Sequence, residues 1–338
     1  MQTFKRILCS VLCFVLALGL VSAVICVPYL NSEMDVYMDR NERAELAGSL
    51  DTLYIGASQL EYGLNVLQAD AATGTYGYNL SSVYQSMYGH KALLEKEISR
   101  NPVKHVVLEA SYEVLSHDPN TDNAQGDSVV LARLDTLGEQ AAYATTYMAV
   151  DRWADTWARY MERGITYYKN LVTGRDLQIL IPEDKGFATH EANDLTVQDE
   201  ATVYASEPGI VNAPFREENV GYFKDIVQIC KDNNIELTVV VTPLSNAMLT
   251  RYAAADWDDF SANLQALCAE CDVTCYDFNL LKDYHERFSD TWAYYDINHL
   301  SEAGATAFTE AYCEVRNAQV AGEDTSAFFY DSYAEALS

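Results

Sequence analysis

Basic residues are scarce in this chain. Lys and Arg number 22 against 50 Asp and Glu, a formal net charge of −28 over 338 residues. A chain with so few cations has no face on which to lay a phosphate backbone, which excludes nucleic-acid binding. The same deficit argues against docking flat onto anionic lipid or teichoic acid through charge, and fits a solvated acidic surface that keeps an exported domain soluble. Low-complexity tracts and internal repeats are absent, and the apolar fraction is that of a folded protein. Metal signatures are missing too. Cys268-x-x-Cys271-x-x-x-Cys275 has no second CxxC pair or HxxxH to complete a zinc site. Cys268 and Cys271 sit at helical spacing among Ala and Leu, as small buried thiols do, with a disulfide or a metal site as the alternative readings. Asp118-x-x-x-Asp122 and Asp256-x-Asp258-Asp259 lack the patterned oxygen-rich loop that calcium needs. No metal and no cofactor is expected.

The first thirty residues carry only two charges, Lys5 and Arg6. The uncharged run from Ile7 to Leu30 exceeds the ~20 residues that cross a hydrocarbon core as a helix. The basic pair predicts a cytoplasmic N-terminus, with everything after Asn31 outside. A cleaved signal peptide ending near Ser22-Ala23 is the competing reading, but the run is longer than a usual signal core. The remainder then holds 20 basic against 50 acidic groups, about −30, and five cysteines, an odd number. The expected organisation is a cytoplasmic stub and transmembrane signal anchor over 1–30, a juxtamembrane helix or linker over 31–50, one α/β domain over 51–320 and an acidic, mobile tail over 321–338.

Within that domain, short buried strands alternate with amphipathic helices. Asp51–Gly56, Thr75–Leu80, Val103–Glu109, Glu236–Thr242 and Val273–Asp277 are apolar, β-branched or aromatic, and end at Gly, Pro or polar residues. Ser81 is placed to cap the helix that follows the second strand, running to about Ser99; further helices are expected over 217–233, 256–270 and 301–318. Strand, helix, strand in this order predicts a parallel sheet with crossover helices. An insertion over about 120–212 begins helical and rich in aromatics, among them Tyr147, Trp153, Trp157 and Tyr160. That stripe reads as core packing first, or as the lining of a cleft. From 176 to 212 the periodicity is lost, which predicts a long loop over the sheet edge.

Two places carry chemistry. Ile55-Gly56-Ala57-Ser58 follows the first strand directly, at the carboxyl edge where open α/β sheets bind ligands. Taken alone, Ser58 reads first as a helix cap. Asp296-Ile297-Asn298-His299 stands just before the last helix. One turn of loop brings its carboxylate to its imidazole, and a serine hydroxyl needs such a base with an oriented tautomer. The other five histidines, His90, His105, His117, His190 and His285, have no recognisable partner spacing.

In these two motifs at opposite ends of the domain, the sequence resembles the SGNH (GDSL-like) hydrolase superfamily. Tyr78–Ser81 with Gln85, Val106–Glu109 and Val239–Leu244 fall where that family's second, third and fourth strands belong. More narrowly, it is similar to the membrane-anchored, DltD-like members that act on cell-envelope polymers. The resemblance implies a flavodoxin-like three-layer α/β/α sandwich. It implies Ser58 as nucleophile, His299 as general base and Asp296 as its orienting acid. It also implies an oxyanion site supplied by the Ser58 N–H together with a second-strand donor, for which Gly77, Asn79 and Gln85 are candidates. The chain departs from the family in having Gly-Ala-Ser for Gly-Asp-Ser, and Glu109-Ala-Ser-Tyr112, without the Asn donor, after the third strand. The expected activity is ester hydrolysis or O-acyl transfer outside the membrane, with an acylated glycan or teichoic acid as substrate and a membrane acyltransferase as possible partner. The alternative is a catalytically silent scaffold or carrier in envelope assembly.

Overall fold

The computed structural model describes residues 2–30, 39–118, 124–174, 185–205, 211 and 213–338. Residues 31–38 of the expected linker, Asp122, and 175–184, 206–210 and 212 of the expected insertion lie outside the described residues.

Among the described residues, five short strands make the sheet: β1 (Thr52–Ile55), β2 (Gly77–Asn79), β3 (His105–Glu109), β4 (Glu236–Val241) and β5 (Thr274–Asp277). They are parallel and ordered β2-β1-β3-β4-β5, the flavodoxin-like doubly wound arrangement. β1 and β3 are buried at every position and β4 at all but its first residue, as strands covered on both faces must be, so their sequences are apolar runs rather than alternations. Register pairs Tyr54 with both Asn79 and Val107, and Ile55 with Leu108. The chain therefore leaves β1 for one side and takes up β3 on the other. This switch point opens a crevice at the carboxyl ends of β1 and β3.

Helices α1 (Gln2–Leu30), α2 (Arg40–Glu45), α3 (Ser58–Gly63), α4 (Val66–Thr73), α5 (Met87–Ile98), α6 (Tyr112–Ser116), α7 (Ala124–Arg133), α8 (Leu137–Tyr147) and α9 (Val150–Thr173) precede the long helices Glu217–Asp232, Ala254–Glu270 and Glu302–Ala321. α4 packs against Glu302–Ala321, and α5 against Glu217–Asp232. Right-handed crossovers place these pairs on opposite faces of the sheet, giving three layers. α1 is apolar and long enough to cross a membrane.

Three expectations are corrected. The helix after β2 starts at Met87 under a Ser86 cap, not at Ser81. The reason is that the Leu80 and Ser81 carbonyls accept from the Arg133 guanidinium, and the Ser82 N–H donates to the Gly56 carbonyl, so this stretch is held as a loop. The tail is packed, not mobile. Tyr333 is fully buried, stacks on Trp257 and donates its hydroxyl to Asp277 at 2.7 Å. The aromatic stripe of the insertion is divided: Tyr147 and Tyr160 pack on the core, whereas Trp153 and Trp157 face outward.

Candidate active site

β1 ends in Gly56-Ala57 and delivers Ser58 as the first residue of α3. Only glycine fits at 56, because an added Cβ would lie 2.6 Å from the Glu109 Cβ and 2.9 Å from the Leu60 Cβ. Glu109, the last residue of β3, clamps the two sides of the crevice. Its buried carboxylate accepts the Ala57 N–H at 2.6 Å and the Ser111 N–H at 2.9 Å. Burial raises its pKa against the pull of these hydrogen bonds.

From the far end of the domain, a tight loop presents the base. The Tyr295 N–H donates to the His299 carbonyl, Ser301 N–H to the Ala293 carbonyl, and the Ser301 hydroxyl caps the helix Glu302–Ala321 at Gly304. This brings His299 Nε2 to 2.8 Å from Ser58 Oγ, across 241 residues of sequence. His299 Nδ1 lies 2.9 Å from both oxygens of Asp296. Asp296 Oδ1 in turn accepts the Asn298 and His299 N–H groups at 2.8 and 2.9 Å, which fixes the carboxylate. A carboxylate accepts only, so Nδ1 carries the proton and the Nε2 lone pair of the neutral ring points at the serine hydroxyl. The side chains of His299 and Asp296 keep 21% and 24% of their surface, so the row is reachable from solvent.

Burial by itself pushes the His299 imidazole down. The hydrogen bond and charge of Asp296, with Glu113 and Glu61 beyond it, outweigh burial and leave its pKa above the ordinary imidazole value. Asp296 is shifted the other way: the partnership with His299 and the two backbone N–H groups overcome burial and lower it. Glu113, on α6, is pushed up to about 7 by burial, with Glu109 and Asp296 adding to the rise and His299 opposing it. A working base must be neutral, so activity is expected to rise with pH through the raised His299 pKa. Over the part of that limb where Glu113 is ionised, Glu113→Gln removes a negative charge that stabilises the imidazolium. The acid limb of the kcat/KM profile should therefore move to lower pH, and a limb that moves up or stays in place would remove Glu113 from the electrostatics of the base.

The oxyanion candidates fare differently. As first residue of α3, Ser58 has an N–H with no carbonyl behind it in the helix. Asn79 is corrected: its amide donates to the Leu60 and Leu64 carbonyls at 3.0 and 3.4 Å and its Oδ1 accepts the Ser81 N–H, so it braces α3 from below. Gly77 opens β2 at the opposite edge of the sheet, with its N–H on Asp70. Gln85 Oε1 accepts from the Ser82 hydroxyl, while Gln85 Nε2 is buried without a hydrogen-bond partner among the described residues.

Several residues of the site were missed from sequence. Glu61 and Tyr62 lie on α3 one turn beyond Ser58. The Tyr62 ring meets His299 edge-on at 5.6 Å. His190 stacks between Tyr62 and Tyr295, at 4.2 and 4.1 Å, and forms an aromatic wall beside the serine–histidine pair. His190 arrives from the insertion, where Ala188 N–H donates to the Glu61 carbonyl and Asn193 N–H to the Tyr294 carbonyl. Burial and the nearby His299 lower the His190 pKa, which favours the neutral ring.

No protein-family model and no curated protein matches this chain. Among solved structures, it is similar to a candidate acylhydrolase from Bacteroides fragilis, at 11% identity and TM-score 0.41 over 83% of this chain and 95% of that one. It is similar to a candidate platelet activating factor protein from Streptococcus pneumonia, at 12% identity and TM-score 0.41 over 89% and 98%. A lipase/acylhydrolase from Enterococcus faecalis gives 9% identity and TM-score 0.36 over 80% and 97%. Likenesses this loose decide nothing about chemistry, and the functional reading rests on the chain's own geometry.

Proposed function

We propose that this chain is a membrane-anchored serine esterase or O-acyltransferase of the SGNH type, DltD-like in its anchoring, with its domain outside the membrane and an acylated cell-envelope glycan or teichoic acid as substrate. The observation that carries the reading is the hydrogen-bonded row Ser58–His299–Asp296, with its serine at the carboxyl edge of β1. His299 Nε2 takes the Ser58 proton as Oγ attacks the acyl carbonyl carbon. The ester C–O bond breaks, and His299 returns that proton to the leaving alkoxide. Asp296 holds the ring and balances the transient imidazolium. Water or a glycan hydroxyl then attacks the Ser58 acyl ester, with His299 again accepting the proton and passing it to Ser58. A membrane acyltransferase that loads or receives the acyl group fits this placement.

The Ser58 N–H supplies one oxyanion donor, and of the second-strand candidates Gln85, whose Nε2 is buried and unpartnered among the described residues as is that of Gln59, is the one with an amide left to supply a second. Gln85→Leu is then expected to lower kcat by on the order of 10²-fold, with KM changing far less. An unchanged kcat would assign Gln85 to the loop alone.

Fluorophosphonate labelling of the full-length chain in detergent tests the proposal. Wild type should label, and Ser58→Ala and His299→Ala should not. One observation favours a second reading, a silent scaffold or carrier: the amide of Asn79 is turned to α3, and Glu109 ends the third strand where a donor would serve. A folded wild-type chain that refuses the probe would favour that reading.

A further inference from the structure

Helix α9 is amphipathic in the wrong sense for a water-soluble domain. At 3.6 residues per turn, Val150, Trp153, Trp157, Met161, Gly164, Ile165, Tyr168, Leu171 and Val172 fall in one arc of about 120°. That arc contains no charged residue. An ordinary surface helix turns such an arc to the core. Here a polar strip is turned inward instead, while Asp151, Asp155, Glu162 and Lys169 stay exposed beside the apolar arc. Arg152 and Thr156 are buried, Arg152 pairs with buried Asp127 at 2.9 Å, and the Tyr160 hydroxyl donates to the Ser128 carbonyl on α7. Tyr88 and Tyr143 complete the Asp127 cluster, so the inward face is fixed by a built network. The apolar side looks out: Trp153 keeps 41% of its surface, Trp157 43%, Ile165 55%, Leu171 63% and Val172 85%.

Among the described residues, α8 meets the start of this outward face, where Trp153 Nε1 donates to the Ala144 carbonyl, and α1 meets its middle. Trp157 Nε1 donates to Ser22 Oγ, Cys26 Sγ contacts Met161 Sδ at 3.7 Å, and the Tyr168 hydroxyl donates to the Val24 carbonyl. At the crossing the backbones approach closely, since a Cβ added to Gly164 would lie 2.5 Å from the Ile25 carbonyl oxygen. Trp157 and Tyr168 are about 16 Å apart along α9, yet their partners Ser22 and Val24 are about 3 Å apart along α1. The two helices therefore cross steeply. Counting about 20 residues of hydrocarbon from Ile7, the crossing point on α1 falls at the outer edge of the bilayer.

We propose that α9 is a second membrane element: it lies in the plane of the outer leaflet with its apolar arc in lipid, and α1 and α9 together hold the catalytic domain against the membrane in one orientation. Its occupant is lipid. The apolar arc continues the exposed apolar surface of α1, and Trp153, Trp157 and Tyr168 are the residue types that settle at the headgroup boundary. The inference rests on α1 crossing the membrane, and is independent of the chemistry at Ser58.

The test uses the full-length chain, purified and alone, in lipid nanodiscs. Its four tryptophans are Trp153, Trp157, Trp257 and Trp292. Lipids brominated in their acyl chains should quench wild-type fluorescence. The double variant Trp153→Phe/Trp157→Phe should lose that quenching, while quenching of its remaining fluorescence by aqueous iodide, through exposed Trp292, persists. Bromolipid quenching that survives in the double variant would overturn the proposal. So would a wild-type chain whose Trp153 and Trp157 are quenched by iodide, or are shielded from both quenchers by a second copy of the chain. A chain that does not stay in the discs would overturn the α1 span and this proposal together, and would leave fluorophosphonate labelling of Ser58 unaffected.

Discussion

Replacing Ser58 with alanine in the full-length chain is expected to lower kcat towards p-nitrophenyl acetate by about 10⁴- to 10⁶-fold, with the fold retained. Ser58 is partly exposed at the start of a short helix, and among the described residues its hydroxyl bonds only His299, so removing one oxygen leaves no buried group stranded. His299→Ala should cost a similar factor, and the double variant little more than either, because nucleophile and base act as one unit. Asp296→Asn should cost about 10⁴-fold, since an amide that donates to Nδ1 puts the proton on Nε2 and removes the base. Its signature differs from a structural defect, because the loop N–H groups that bond Asp296 Oδ1 can still be satisfied by the Asn carbonyl. Steady-state rates of the four variants check this. Multiplicative losses would mean that Ser58 and His299 do not work together.

The second large effect is on stability. Arg43 is fully buried and reaches three partners at once: Asp39 Oδ1 at 2.7 Å, Glu97 Oε1 at 2.7 Å and the Arg133 carbonyl at 2.6 Å. Arg133 then holds the Leu80 and Ser81 carbonyls and pairs with Asp39 at 3.1 Å. The network thus ties α2 to α5, to the end of α7 and to the loop after β2. Arg43→Met removes the central cation and leaves Asp39 to Arg133 and Glu97 to Arg100. Breaking a buried pair from one side costs about 3–5 kcal/mol, and the remaining arginines set the expected loss near the low end, about 3 kcal/mol. The melting temperature followed by circular dichroism should fall by roughly 4–5 °C. A shift within about 2 °C would show that the carboxylates find water when the guanidinium is gone.

The sheet was legible because parallel strands are buried on both faces and so read as short apolar runs with clear stops. Ser58, Asp296 and His299 were legible by position: one follows the first strand, the others precede the last helix, and the topology joins those two places. Glu61, Glu113 and His190 were not. Each sits at ordinary helix or loop spacing, and only the packing of α6 and of the insertion against His299 gives them a charge or a ring to face. Asn79 carried the right residue type at the right strand end, but the Leu60 and Leu64 carbonyls claim its amide. The case of α9 is different again. Its period was visible, but a period says which residues share a face, and leaves unstated whether that face meets a core or a membrane. The acidic residues of the tail predict mobility, whereas its aromatic residues govern its packing: Phe329 stacks on Tyr276, and Tyr333 on Trp257.

The most direct test of the central claim is the covalent intermediate. Wild-type chain mixed with excess p-nitrophenyl acetate, quenched in acid within the first turnovers and mapped by peptide mass spectrometry, should carry an acetyl group on Ser58, and the His299→Ala variant should not. Release of p-nitrophenol with Ser58 unmodified at every quench time, or with the acetyl group on another residue, would contradict it.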